Sequence, residues 1–462
     1  MTSVLLRRMV QAALVAAPAA PLAAQGYGLY EQGACAMARA GAAVAAPCAD
    51  GSTLVFNPAG IVGMPGTVAL GATVIAPGGA FTNATTGRRS TLDQPPIVSP
   101  TLYAVAPLTR HVSAGLAVFS PYGLSLRWAP GSEGRFVGYR SELRVTHVQP
   151  TLAARLGALS IGAGLNLGIA HVRLQRRLDL AAQRTGIGTT TFGQLGVPAG
   201  TDFADVNLTA DDLGLGWHAG ALWRPTAAFA LGARWLSRQV FRYDEGEAAI
   251  AQVPTGLSAA ADIRNPATGA IVIPRGTPFD AVVAPQFAGA GPLVTQPART
   301  TLVTPEQAVI GVAVRPTSAL QLMVDVQWTN WRVFEDVRLE FARLPAETLE
   351  QRYRATWGYR AGAEYRLGER TMLRAGIATN EAAAPAQSVT PVLPEARRRA
   401  YTLGLGRQLT GRVAADLSYM YLDQSDRAGR SVAGGVAQND GTFAFDAHLV
   451  GLTVTYRFAA PR

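Results

Sequence analysis

The 462-residue sequence contains no lysine: all 41 basic residues are arginine, set against 31 acidic ones for a formal charge of +10. Those arginines fall in turns, loops and alternate strand positions, without the clustering and interleaved aromatics that a nucleic-acid surface requires. Histidine is scarce. His111, His147, His171, His218 and His448 are scattered, with no His-Glu-x-x-His pair, no Walker-type loop and no nucleophile elbow. Gly162-Ala163-Gly164 with Gly168 lies inside strand-like alternation rather than opening a helix, so it is not a dinucleotide fingerprint. No catalytic residue, metal site or cofactor is expected. After residue 24 no stretch of about 18 uncharged apolar residues occurs, which excludes a helical membrane span.

What the sequence does contain is a rhythm. Apolar and polar residues alternate in segments of roughly ten residues that are joined in turn by a short connection and a long one. The short ones are Pro107-Leu108-Thr109-Arg110-His111, Leu156-Gly157-Ala158, Arg224-Pro225-Thr226-Ala227, Arg315-Pro316-Thr317-Ser318, Leu367-Gly368-Glu369-Arg370 and Gln408-Leu409-Thr410-Gly411. About fourteen strands are expected, an even number as in single-chain bacterial barrels. They begin near Gly66, Ile97, Ser113, Ser141, Ala158, Ala210, Ala228, Thr301, Leu320, Gln351, Thr371, Arg397, Arg412 and Gly441. In one of them Val413, Ala415, Leu417, Tyr419 and Tyr421 share a face opposite Ala414, Asp416, Ser418 and Met420. A water-soluble sandwich alternates in the same way. The last strand, Val450, Leu452, Val454, Tyr456 and Phe458 against Gly451, Thr453, Thr455 and Arg457, favours a closed all-β, antiparallel transmembrane barrel, because lipid cannot satisfy an open sheet edge.

The amino terminus carries the address. Arg7 and Arg8 precede an apolar run from Met9 to Ala24, followed by Gln25, which has the form of a secretory signal peptide with an imperfect cleavage site at Leu22. Its removal leaves a charge of about +8. The expected organisation is signal peptide 1–24, an amino-terminal hatch 25–65 and a barrel 66–462, in the outer membrane of a Gram-negative bacterium. Arginines of the outer loops are expected to meet lipopolysaccharide phosphates, and arginines in the lumen to attract anionic solutes.

Residues 26–64 are rich in small residues and poor in alternation. Gly33, Ala38, Arg39, Ala40 and Gly41, then Asp50 with Ser52, and above all Phe56-Asn57-Pro58-Ala59-Gly60 make this segment resemble the hatch of the FadL-like outer-membrane long-chain fatty acid transporters. Ser120-Pro121-Tyr122-Gly123, Gly134-Arg135-Phe136, Thr304-Pro305-Glu306, Asp325, Trp328, Trp331, Phe334, Gly362-Ala363-Glu364-Tyr365 and Leu393-Pro394 extend the resemblance in order along the chain.

The resemblance implies passive passage of hydrophobic molecules, long-chain fatty acids first, through an apolar lumen and sideways out through the wall. Aromatic hydrocarbons are the alternative substrate, and a receptor or structural barrel that transports nothing is the alternative function. An outer-membrane phospholipase or protease is the enzymatic competitor. The resemblance also implies that Asn57, Pro58, Ala59 and Gly60 form a gating turn beside an inward kink of the third strand. Pro121 and Gly123 are the kink candidates, since proline lacks a ladder donor and glycine tolerates a bulge. A plain connecting turn and a plain strand end are the competing readings of the two motifs. No substrate-binding residue can be assigned. Lipopolysaccharide and the barrel assembly machinery are the other expected partners of a monomer, although four residues follow Phe458, where such barrels commonly end on the aromatic.

Both cysteines, Cys35 and Cys48, lie in the exported hatch, and the cell envelope is oxidising, so they are expected to pair. Closing so short a loop contributes roughly 3 kcal/mol in the chain-entropy description. Thiol labelling of the unreduced, denatured protein should therefore detect no reactive cysteine; two labelled thiols would refute the pairing.

Overall fold

The computed structural model describes residues 26–185, 189–265, 267–429 and 440–458; the expected signal peptide and the four residues after Phe458 lie outside them. Fourteen antiparallel strands follow one another around a closed wall. They are β1 (Gly66–Asn83), β2 (Ile97–Pro107), β3 (Val112–Arg127), β4 (Arg140–Leu156), β5 (Leu159–Asp179), β6 (Asp202–Thr226), β7 (Phe229–Leu236, resuming as Gln239–Gln252) and β8 (Gln296–Thr304, resuming as Gln307–Val314). The remainder are β9 (Leu320–Thr329), β10 (Thr356–Leu367), β11 (Thr371–Asn380), β12 (Arg398–Gln408), β13 (Val413–Gly429) and β14 (Gly441–Phe458). β14 returns to β1 with Gly66 opposite Phe458 and Asn83 opposite Gly441, so the wall is closed at the seam between its first and last strands.

The alternation sets the two faces. On β13, Asp416, Ser418 and Met420 are buried inward while Leu417 and Tyr419 are exposed outward. Along the outer surface Trp217, Trp235 and Trp328 stack at 6.5 and 6.4 Å across β6, β7 and β9, and Trp328 stands opposite Trp357 on β10. Trp223, Tyr365, Tyr456 and Phe458 form a second exposed aromatic level near the short turns. Two such levels bound the apolar band of a membrane barrel.

Three strand starts differ from the sequence expectation. β6 begins at Asp202 rather than near Ala210, and β8 at Gln296 rather than near Thr301. There the strands continue beyond the apolar band, and the loops between them fold their own small core of Leu180, Phe192, Phe203, Ile250, Phe279 and Val283. That core, not a lipid-facing period, holds these polar stretches in register. β10 begins at Thr356 rather than Gln351, because Glu347–Glu350 pairs back on a short loop strand, Asp336–Phe341, and Arg352 then turns the chain with φ 48°.

The lumen is filled by the hatch. Short helices α1 (Ala34–Met37) and α2 (Thr53–Phe56) are buried within the barrel, and the structure joins Cys35 to Cys48 between them. Short connections mark the periplasmic end of such barrels and long loops the outer end. An epitope tag placed within Arg315–Ser318 should accordingly stay inaccessible on intact cells, whereas one in the loop following Gln252 should be reached; surface exposure of the former would invert the topology.

Candidate functional site

The site is assembled from three parts: the seat of the hatch, a defect in the wall, and the space between them. Asn57 organises the seat. Its side-chain amide donates to the Val44 carbonyl at 2.7 Å and to the Ala221 carbonyl of β6 at 2.9 Å, while its side-chain oxygen accepts the Ala59 N–H at 3.1 Å. Pro58 occupies the first position of the 3-10 turn Pro58–Ile61, where a missing N–H leaves no bond unmade. The opposite side of the hatch is pinned by Asp325 of β9, whose carboxylate accepts the Ala43 and Val44 N–H groups at 2.8 and 2.9 Å. Thr402 on β12 donates to the Ala38 carbonyl, and Thr453 on β14 accepts the Ala34 N–H.

Wall glycines make this approach possible. A Cβ at Gly220 would lie 2.3 Å from Asn57 Oδ1, and one at Gly232 would lie 2.1 Å from the Val44 carbonyl oxygen. The hatch backbone therefore rests directly on the strand backbones of β6 and β7.

The wall defect lies elsewhere on the circumference. β2 and β3 pair from Pro107 opposite Ser113 to Leu102 opposite Val118, and no further. Beyond that point Ile97 to Thr101 pair only with β1. On its other side β3 shifts register against β4 between Phe119 and Tyr122, so Ser120 and Pro121 together face Thr146. Pro121 thus sits in a β-bulge; the ladder resumes with Tyr122 opposite Val145, and Gly123 follows opposite Arg144. The residues that meet the bulge are not those of the Asn57 turn. Leu29 donates its N–H to the Pro121 carbonyl at 2.8 Å, Gly123 donates to the Tyr27 carbonyl at 3.0 Å, and Gln32 Nε2 reaches the Ser120 carbonyl at 2.6 Å. The turn of Asn57 to Gly60 rests instead on β5 and β6, where a Cβ at Gly162 would lie 2.6 Å from the Pro58 carbonyl carbon. The placement that the resemblance implied is corrected accordingly: the extended amino-terminal segment of the hatch, Tyr27 to Gln32, borders the kink.

A cavity of about 700 Å³ occupies the gap. Lumen-facing Leu422, Gln424 and Leu449 line it together with Val98 and Ile169, which are 60% and 48% exposed on the outer face. Arg398 also lines it, its Nε donating to Gln424 Oε1 at 3.2 Å. Five carboxyl side chains line this space: Glu31, Glu142, Asp211, Glu395 and Asp446. Glu395 accepts N–H groups from Gly26, Ala383 and Ala384. Burial holds the Glu31 carboxyl above the usual carboxylate range, with backbone N–H groups and Arg398 pulling the other way. A second cavity of about 180 Å³ lies among Tyr27, Val172, Leu208, Tyr243, Leu302 and Phe334, and Leu124, Leu143 and Leu393 line both spaces. Tyr27 packs on Trp331 and Phe334 at ring distances of 4.7 and 5.4 Å, forming an aromatic roof over the hatch.

Arg398, Tyr27, Leu29 and Gln32 escaped the sequence reading. Arg398 lies within the run Arg397-Arg398-Arg399, where charge alone does not show that the middle residue points inward.

Asn57→Ala should leave the Val44 and Ala221 carbonyls without their donor, at about 1–3 kcal/mol for each buried group, without touching the barrel ladder. The expected outcome is increased entry of a hydrophilic antibiotic with unchanged heat-modifiable gel migration; unchanged permeability would mean that the turn does not hold the hatch.

Residues 13–458 match the profile of the family described as outer membrane protein transport protein (OMPP1/FadL/TodX). Outer membrane protein P1 of Haemophilus influenzae is 23% identical over 342 residues, covering 70% of this chain but only 65% of that protein. An outer membrane protein of Neisseria meningitidis serogroup B is 24% identical, covering 99% and 100%. Among solved structures, a Pseudomonas aeruginosa FadL homologue superposes with a TM-score of 0.77 at 19% identity, covering 94% of this chain and all of that one. The Pseudomonas putida toluene transporter TodX gives 0.69 at 16%, covering 95% and 100%. These likenesses support the fourteen-stranded fold with its hatch, and the family match places the barrel in the outer membrane: the chain belongs to the FadL/TodX family of outer-membrane transport proteins.

Proposed function

We propose that the protein carries hydrophobic molecules inward across the outer membrane, with long-chain fatty acids as the principal substrate. The observation that carries this reading is the larger cavity, which lumen-facing and lipid-facing side chains line together at the point where the β2–β3 ladder stops. Its volume of about 700 Å³ lies within the range of small-molecule sites. A solute held under the aromatic roof reaches the gap along Leu124, Leu143 and Leu393 without meeting bulk water. The hatch blocks the straight route to the periplasm, so the exit is sideways. Tyr27 to Gln32, bonded to the bulge, form its movable border, and the turn of Asn57 to Gly60 is the fixed anchor.

Arg398 favours an amphipathic acid. It is a guanidinium beside a mostly apolar cavity, and it joins no ion pair among the described residues, while its charge is felt by the buried Glu31 and Glu395 carboxyls of the same lining. A fatty acid carboxylate would accept its free donors while the chain fills the space toward Leu422 and Leu449. The smaller cavity supports a second reading, passage of monoaromatic hydrocarbons, because its walls are mostly apolar and three of them are rings: Tyr27, Tyr243 and Phe334. Relatives of this fold include a toluene transporter and a monoaromatic hydrocarbon channel.

Uptake of oleate and of toluene by cells producing the protein or its Arg398→Gln variant separates these readings. A charge-assisted hydrogen bond of ~1.5–3 kcal/mol corresponds to a loss of tenfold or more in oleate uptake at limiting concentration, with toluene uptake unchanged. Equal uptake of oleate by both proteins would remove the acid-binding role, and uptake of neither solute by the parent would refute transport.

A further inference from the structure

The surplus charge of this chain is gathered in one ring. Arg110, Arg155, Arg224 and Arg315 stand at four of the six short turns. Arg366 and Arg370 flank the fifth, Arg407 and Arg412 the sixth, and Arg457 lies at the foot of β14. Glu369 is the one acidic residue on these turns. The ring therefore holds eight of the ten formal positive charges; Arg7 and Arg8 supply the other two, and the rest of the chain is neutral.

The ring is also unpaired. None of its nine arginines joins an ion pair among the described residues. Arg155 and Arg315 donate to the Val62 and Ala227 carbonyls, and Arg407 and Arg457 to Thr371 and Gln408, all neutral acceptors. At the long-loop end part of the arginine charge is matched, as in Arg88 with Glu133, Arg135 with Asp202 and Arg176 with Glu347, whereas the ring has no such pair among the described residues. Seven ring arginines are exposed and Arg155 and Arg457 are half-exposed.

Placement gives the ring a partner. Leu108, Leu156, Leu367 and Leu409 project exposed from the same turns, and the aromatic level of Trp223, Tyr365 and Tyr456 lies just above. Apolar tips beside guanidinium groups, at the rim of an aromatic girdle, match the depth of lipid phosphates. Arginine's planar fork donates paired hydrogen bonds to phosphate oxygens. Because the charge encircles the barrel rather than forming a patch on one arc, it fits a surrounding leaflet better than a docked protein.

We propose that this arginine collar binds the phosphate head groups of anionic phospholipids in the periplasmic leaflet and thereby fixes the depth of the barrel. The proposal uses the orientation set by the short turns and is independent of the transported solute.

The test uses the full mature protein in vesicles of phosphatidylcholine alone or with phosphatidylglycerol, beside the variant Arg110→Gln, Arg370→Gln, Arg412→Gln. Three exposed turn positions far from the lumen are changed, so folding is monitored but not expected to alter. Native mass spectrometry should show phosphatidylglycerol retained over phosphatidylcholine by the parent. The preference should fall on the order of fivefold for each arginine removed and weaken with added salt. The parent's unfolding midpoint should rise with phosphatidylglycerol, and inorganic phosphate added to phosphatidylcholine vesicles should not reproduce the rise. Equal retention of both lipids by the parent, an undiminished preference in the variant, or full stabilisation by free phosphate would each overturn the proposal.

Discussion

Everything in this molecule depends on one requirement: a backbone N–H or carbonyl facing lipid has no water to bond. Closure of β14 on β1 along the whole length of β1 satisfies that requirement, and it leaves an interior too wide for side chains alone to fill. The hatch fills it. Because the hatch is itself largely irregular backbone, its polar groups need partners from the wall, and Asp325, Asn57, Thr402 and Thr453 account for many of them.

The β2–β3 gap is where the same requirement is met differently. β3 gives up its ladder to β2 beyond Val118, and the bulge at Ser120 and Pro121 turns that stretch toward the lumen. Proline removes one donor from the stretch, and Tyr27 and Leu29 supply partners for the neighbouring Gly123 N–H and Pro121 carbonyl. An opening in a lipid-facing wall is therefore stable as long as the hatch segment Tyr27 to Gln32 stays in place. This couples the hatch to the opening through hydrogen bonds rather than through distant packing.

Two kinds of charge distribution serve two ends of the barrel. Among the long loops Arg135 and Arg176 are matched with carboxylates and help to fold the tall outer part, where β6 and β7 rise beyond the apolar band around their own small core. At the short turns the arginines are left unmatched, so their field extends outward from the rim. Inside, Arg374 bridges Glu364 and Asp416 at 2.6 Å each, so its positive charge is committed to wall carboxylates.

The strand grammar, the strand count, the closing strand and the hatch were legible in the sequence because a membrane wall imposes a period of two on every strand and a short-long cadence on the connections. The proximity of Cys35 and Cys48 followed from there being no other cysteines. Where the constraint of lipid ended, so did legibility: the starts of β6, β8 and β10 depend on loop cores and a loop hairpin formed between distant segments. Pro121 could be marked as a kink candidate from its missing donor alone, but only the fold decided that Tyr27 to Gln32, and not Asn57 to Gly60, lie against it. The cavity and Arg398 belong to the same class, since the side chains that line a lumen come from strands far apart in sequence, and the wall's curvature, which no local pattern encodes, decides which of them meet.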